Sequence, residues 1–172
     1  LGAPVIDADV IAKELVVPGA PALSLIKAQL GAQYFQTDGS LNRSLVREAI
    51  FKNPALKTQL ESILHPLIQQ ELFNRAQQFS GSYGIVCVPL LVENIQNYEW
   101  LDRILVIDLS EPLQIERASA RDRLTSESIE ATLKAQASRS QRLALADDVV
   151  VNDEDLEALQ EKVRQLHHFY LS

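Results

Sequence analysis

Two acidic clusters in this chain of 172 residues stand where open parallel sheets do their chemistry. Asp7-Ala8-Asp9 follows the apolar pair Val5-Ile6, and Glu93 follows Pro89-Leu90-Leu91-Val92. A third polar end, Asp108-Leu109-Ser110, closes the run that begins at Arg103. Ligands of such sheets bind beyond the carboxyl ends of the strands. Carboxylates placed there suit a general base or the support of a metal ion. The plainer reading makes Asp9 the N-cap of the next helix and Glu93 the start of a loop. Arginines form the second group: Arg117, Arg121, Arg123, Arg139 and Arg142. Arg117 and Arg121, four apart on a helix, can converge on one target, and Arg139 and Arg142 are three apart on the helix that follows. Guanidinium forks at such spacing suit a polyphosphate. The interleaved Glu116, Asp122, Glu127 and Glu130 describe a solvated helical face equally well. His65, just before Pro66, interrupts an apolar stripe and reads first as a satisfied core or turn residue. Cys87, among Val and Ile, reads as a buried and inert thiol.

The elements that must position these residues follow from the hydrophobic pattern. Val5-Ile6 is a short strand end, and apolar positions over 10–17 predict a helix stopped by Pro18-Gly19. From 20 to about 80 only helices are expected, with Gly31 ending one, Asn53-Pro54 starting another, and a kink or break near His65. The runs at 84–92, 103–109 and 148–152 are apolar without alternation, the pattern of parallel strands buried on both faces. Helices are expected between and after them, over 112–123, 127–145 and 156–171. Strands alternating with helices give an α/β fold with a parallel sheet, interrupted by a helical insertion.

Composition narrows the function. A net charge of −7 argues against a general nucleic-acid binder, yet permits a small anionic ligand held by a few local cations. No apolar run is long enough to span a membrane. One cysteine excludes an intrachain disulfide framework and suits a reducing cytosol. With three histidines, it also makes a structural zinc site a poor expectation. The chain has no methionine, and its first strand opens almost at once.

Taken in order, the motifs resemble those of bacterial dephospho-CoA kinases. They run Ile6-Asp7-Ala8-Asp9, Val17-Pro18-Gly19, Leu41-Asn42-Arg43-Ser44-Leu45 with Ile50-Phe51, and Ile63-Leu64-His65-Pro66. They continue as Val88-Pro89-Leu90-Leu91-Val92-Glu93, then 103–108, Ala135-Gln136, and Ala146-Asp147-Asp148-Val149 through Asn152. The resemblance implies a three-layer parallel sheet of the P-loop kinase type, with a helical insertion and a lid. Its core would be 1–17 and 82–172, the lid about 118–142, and the helical substrate (CoA) domain 18–81. It implies transfer of the ATP γ-phosphate to the 3′-hydroxyl of dephospho-CoA, the last step of coenzyme A biosynthesis, in the cytoplasm and with Mg²⁺. Asp9 would be the general base and Arg121 would neutralise the transferring phosphate. Asp7, Arg43, His65 and Glu93 would serve substrate binding, and Arg117, Arg139 and Arg142 would serve ATP from the lid.

One departure is large. The Gly-x-x-x-x-Gly-Lys-Ser/Thr loop that cradles phosphates and carries the Mg²⁺ ligand is absent from the sequence. The resemblance begins just after the place where that loop would lie. The chain is therefore read as lacking the central first strand, and is expected to be inactive and unstable without it. Two alternatives are another P-loop nucleotide or small-molecule kinase, and a non-catalytic CoA-binding fragment.

Overall fold

The computed structural model describes residues 1–122 and 125–172, so Arg123, singled out above, lies outside the described residues. Contacts divide the chain into two compact units, Gly2–Val88 and Pro89–Ser172, the latter with Leu1.

In the first unit, β1 (Val5–Asp7) pairs in parallel with β2 (Ile85–Cys87), Val5 opposite Ile85 and Asp7 opposite Cys87. A parallel pair needs a crossover. Here it carries α1 (Ala8–Glu14), α2 (Pro21–Leu30), α3 (Arg43–Lys52) and α4 (Pro54–Ala76). Leu23, Ile26 and Leu30 recur at helical spacing on α2, and Gly31, with φ of 105°, ends it in a conformation that L side chains rarely adopt. Asn42 caps α3 by accepting from the Leu45 amide. Asn53 caps α4 ahead of Pro54 in the same way, as the sequence predicts. These helices close on a core of Val16, Leu23, Ile26, Leu30, Leu56 and Ile63, with Tyr34, Phe35, Leu41 and Leu60 packed against it. Each buried Leu or Ile contributes about 1.5–3 kcal/mol, which is what sustains helices too short to persist alone.

Of the expected kink or break near His65, the break is not seen. α4 runs unbroken through Pro66, although Pro66 cannot donate to the Ser62 carbonyl. Packing of α4 against α1, α2 and α3 outweighs that lost bond. The boundaries read at 17/18 and 81/82 both fall inside this unit. Val16 belongs to the helical core, and Arg75 of α4 joins Glu14 of α1 at 2.6 Å and Glu71 at 2.7 Å.

In the second unit, β3 (Leu105–Asp108) pairs in parallel with β4 (Asp148–Val151). Between them lie α5 (Glu111–Asp122), α6 (Ser126–Ala135) and α7 (Arg139–Ala144), and α8 (Leu156–Leu171) follows. The single helix read over 127–145 is thus two. Ser138 opens α7 with a capping box, accepting from the Gln141 amide while the Gln141 side chain accepts from its own. Asp148 ties α8 to the strands: Arg103 forks onto it at 2.9 and 3.0 Å, and the Tyr170 hydroxyl donates to it at 2.7 Å. Arg103 holds the Asp148 carboxyl below its ordinary range, while burial and Asp148 push the Tyr170 hydroxyl up to about 12.

Strand pairing is parallel, as expected, but it forms two separate pairs. The run 84–92 pairs only as far as Cys87, opposite Asp7, where β1 gives way to α1, and a 3-10 turn, Val92–Asn97, follows. Strands in two-stranded sheets are not covered on both faces. Val5 is 58% and Ile107 53% exposed, against the expectation of burial. Cys87 is exposed as well, with its thiol pushed up by partial desolvation and by the charge of Asp7.

Ile26→Ala, at a fully buried position, is expected to cost about 2–5 kcal/mol in denaturant unfolding. Phe51→Ala, at a side chain 90% exposed, should change stability by no more than about 0.5 kcal/mol.

Candidate active site

The first acidic cluster divides its labour. Asp7 Oδ1 accepts from the Asp9 amide at 2.7 Å and from the Val10 amide at 3.4 Å, so Asp7 is the N-cap of α1. The sequence reading gave that post to Asp9. The helix starts directly after the strand, which moves the cap two residues earlier and places Asp9 in the first turn. The Asp9 carboxylate is exposed and makes no hydrogen bond or ion pair among the described residues. It is therefore available to accept a proton.

A cleft of about 420 Å³ lies in the same unit, lined by residues 16–18, by Gln36 and by 40–44. The Phe35–Leu41 bridge and the Gly39 turn shape one side of it. Arg43, the first residue of α3, supplies its positive charge, and Ser44 Oγ donates to Asn42 Oδ1 at 2.9 Å beside it. Val16, Val17, Pro18 and Leu41 opposite Gln36, Ser40, Asn42, Ser44 and one guanidinium make a mixed lining, suited to a ligand that is part hydrocarbon and part polar or anionic. His65, half-buried on α4, is not among the lining residues. Sequence reasoning found Arg43 but missed Gln36 and Ser40, whose only signal was a Thr37-Asp38-Gly39-Ser40 turn.

Four arginines of the second unit, Arg117, Arg121, Arg139 and Arg142, each take different partners. Arg117 donates to the carbonyls of Asn152 at 2.7 Å and Glu154 at 3.1 Å. Arg121 forks onto its neighbour Asp122 at 2.7 and 2.8 Å, with its own side chain 78% exposed. Arg139 forks onto Asp108 at 2.6 and 2.7 Å, and Arg142 donates to the Ala137 carbonyl. Arg117 and Arg121 do not converge here, because each finds a nearer acceptor. Two of the four, Arg121 and Arg139, are neutralised by carboxylates. Arg117 and Arg142 donate only to neutral carbonyls among the described residues, although Asp108 also feels the charge of Arg142.

Glu93 and Asp108 complete this region. Glu93 Oε1 accepts from the Ala137 amide at 2.7 Å. Asp108 is 5% exposed, and Arg139 holds its carboxyl below the usual range against the opposing effect of burial. Asp108 stands at the strand end the sequence marked out, yet it carried no role there. Its partner lies on a helix that residue order alone does not bring near. No group of three or more His, Cys, Asp or Glu that could hold a metal stands together among the described residues. None of their helices is long and apolar enough to cross a membrane.

The α/β fold is of the P-loop kinase type. It matches the crystal structure of TT1252 from Thermus thermophilus with a TM-score of 0.71 at 24% identity, over 98% of this chain and 85% of that one. It matches dephospho-CoA kinase from Campylobacter jejuni with a TM-score of 0.68 at 25% identity, over 98% and 86%. In sequence, the chain is 49% identical to dephospho-CoA kinase of Thiobacillus denitrificans, over all of this chain and 85% of that protein. It is 47% identical to that of Escherichia coli K12, over 99% and 82%. The dephospho-CoA kinase family profile matches residues 1–158, and the chain belongs to that family.

The Asp108–Arg139 pair makes stability depend on acid. Asp108 titrates lower in the folded chain than unfolded, so its contribution is present above about pH 4 and is lost as pH falls through the folded value. Asp108→Asn should therefore melt below the parent at pH 7, with the gap closing below about pH 4. Thermal melts across that range check it.

Proposed function

We propose that this chain phosphorylates the 3′-hydroxyl of dephospho-CoA from ATP, the last step of coenzyme A biosynthesis, in the cytoplasm. The observation that carries this reading is the end-to-end similarity to named dephospho-CoA kinases at 47–49% identity. Phosphoryl transfer asks the protein for positioning and charge neutralisation more than for covalent chemistry. The 3′-oxygen attacks the γ-phosphorus, the bond from that phosphorus to the β-bridging oxygen breaks, and ADP leaves.

Asp9 is the base that orients the hydroxyl and takes its proton. Support comes from its unengaged carboxylate at the carboxyl end of β1. The helical segment 18–81 receives dephospho-CoA, with Arg43 and His65 on that side and the cleft at Arg43 for the part-apolar, part-anionic substrate. Segment 118–142 acts as the lid. Arg117 and Arg142, which keep their charge, face ATP, while Arg139 supports them from Asp108. Arg121 turns to the transferring phosphate. Its exposed pair with Asp122 is screened by solvent and gives way at little cost. Glu93 contributes to substrate placement.

Mg²⁺ fits this donor set in a limited way. An ion carried mainly by phosphates and water needs only one or two carboxylates, and Asp7 has one oxygen committed to its cap. Asp7 would hold the ion through a bound water, and the ion would neutralise phosphate charge.

Asp9→Asn in the enzyme should lower kcat by roughly 10²–10⁴-fold with KM for ATP near the parent value. Because Asp9 has no partner among the described residues, its melting should stay close to the parent. Near-parent kcat would overturn the assignment.

A further inference from the structure

Two side chains meet on the short segment between α6 and α7, and a third holds the helix residue that follows it. Glu93, from the turn Val92–Asn97, accepts the amide of Ala137. Arg142, from α7, donates to the carbonyl of the same residue. Asp108, at the end of β3, takes both arms of Arg139. Both backbone groups of Ala137 are thus bound by charged side chains, and such bonds are stronger and more directional than neutral ones. The segment is not fixed by helix geometry, since residues 136–138 lie outside α6 and α7. Its conformation is set by these ties and by the Ser138 capping box.

The distribution of charge shows what the ties accomplish. A carboxylate bound directly to Arg142 would neutralise it. Here the two carboxylates hold the backbone and Arg139, and Arg142 is held by a carbonyl. The guanidinium is thus held without a carboxylate bonded to it, and the charge of Asp108 reaches it only through space. We propose that Glu93 and Asp108 are positioning residues for ATP: they fix the turn at Ala137 and Arg139, and the turn fixes Arg142 for the polyphosphate. This rests on the reading above that Arg142 meets ATP, and it assigns Glu93 an indirect part in substrate placement, exerted through the Ala137 amide.

Steady-state kinetics of the enzyme with Arg142→Ala, Glu93→Ala and Glu93→Gln test it. Arg142→Ala should raise KM for ATP roughly tenfold and move KM for dephospho-CoA less than about twofold. Glu93→Ala should reproduce that pattern, and Glu93→Gln, whose amide oxygen still accepts from Ala137, should restore KM for ATP to near the parent value. If Glu93→Ala is too unstable to assay, Glu93→Met, which keeps the bulk and lacks the acceptor, carries the same expectation. An effect of Arg142→Ala with none from Glu93→Ala or Glu93→Met overturns the positioning role and leaves the ATP reading of Arg142 standing. No effect of Arg142→Ala on KM for ATP overturns that reading, and the proposal with it. A Glu93→Gln variant as impaired as Glu93→Ala also overturns the proposal, because the carboxylate charge would then act directly.

Discussion

Parallel pairing cannot be closed by a tight turn, because the chain leaves one strand at the end opposite to where the next must begin. Each of the two strand pairs therefore encloses a long helical crossover, α1 to α4 within β1–β2 and α5 to α7 within β3–β4. That constraint places the chemistry. Asp7 and Asp9 sit at the carboxyl end of β1 because the crossover starts there, and Asp108 sits at the carboxyl end of β3 for the same reason. The cleft with Arg43 and the turn at Ala137 are both made inside crossovers, one in each unit.

Within the second unit the arginines are sorted by what they bind, and acceptor type decides it. Carboxylates neutralise Arg121 and Arg139, whereas carbonyls orient Arg117 and Arg142 without removing their charge. The first arrangement stabilises structure, as the buried Asp108 illustrates: losing its partner would strand a desolvated carboxylate. The second leaves two cations without a bonded carboxylate in a protein of net charge −7, and in the proposed function these are the groups that meet the polyphosphate.

Most of the local structure was legible in the residues. Asn53-Pro54 marked the start of α4, Gly31 the end of α2, and the apolar runs marked where strands lie. Local signals failed where tertiary contacts compete with them. Pro66 reads as a kink or a break, and α4, packed on three helices, continues through it without a break. The run 84–92 reads as one strand, but its partner β1 turns into α1 after Asp7 and the ladder ends at Cys87. The split between α6 and α7 was readable from Ser138 and Gln141 as a capping box, yet the helical periodicity across 127–145 concealed it. The pairs Glu93–Ala137, Asp108–Arg139 and Arg103–Asp148 join residues far apart in the chain, and no spacing rule reaches that far.

The pairing of Val5 with Ile85 has a kinetic side. The first residues of this unit to be made are bonded to nearly the last, so β1 has no ladder partner until the whole crossover has been synthesised. Closing so long a loop is costly in entropy unless the intervening chain is already compact. The cluster of Val16, Leu23, Ile26, Leu30, Leu56 and Ile63 draws entirely on residues made before β2, and it can gather while β2 is still to come. The helical core thus serves as a scaffold for folding. It shortens the effective loop so that the strand carrying Asp7, and the helix start carrying Asp9, are locked in place last.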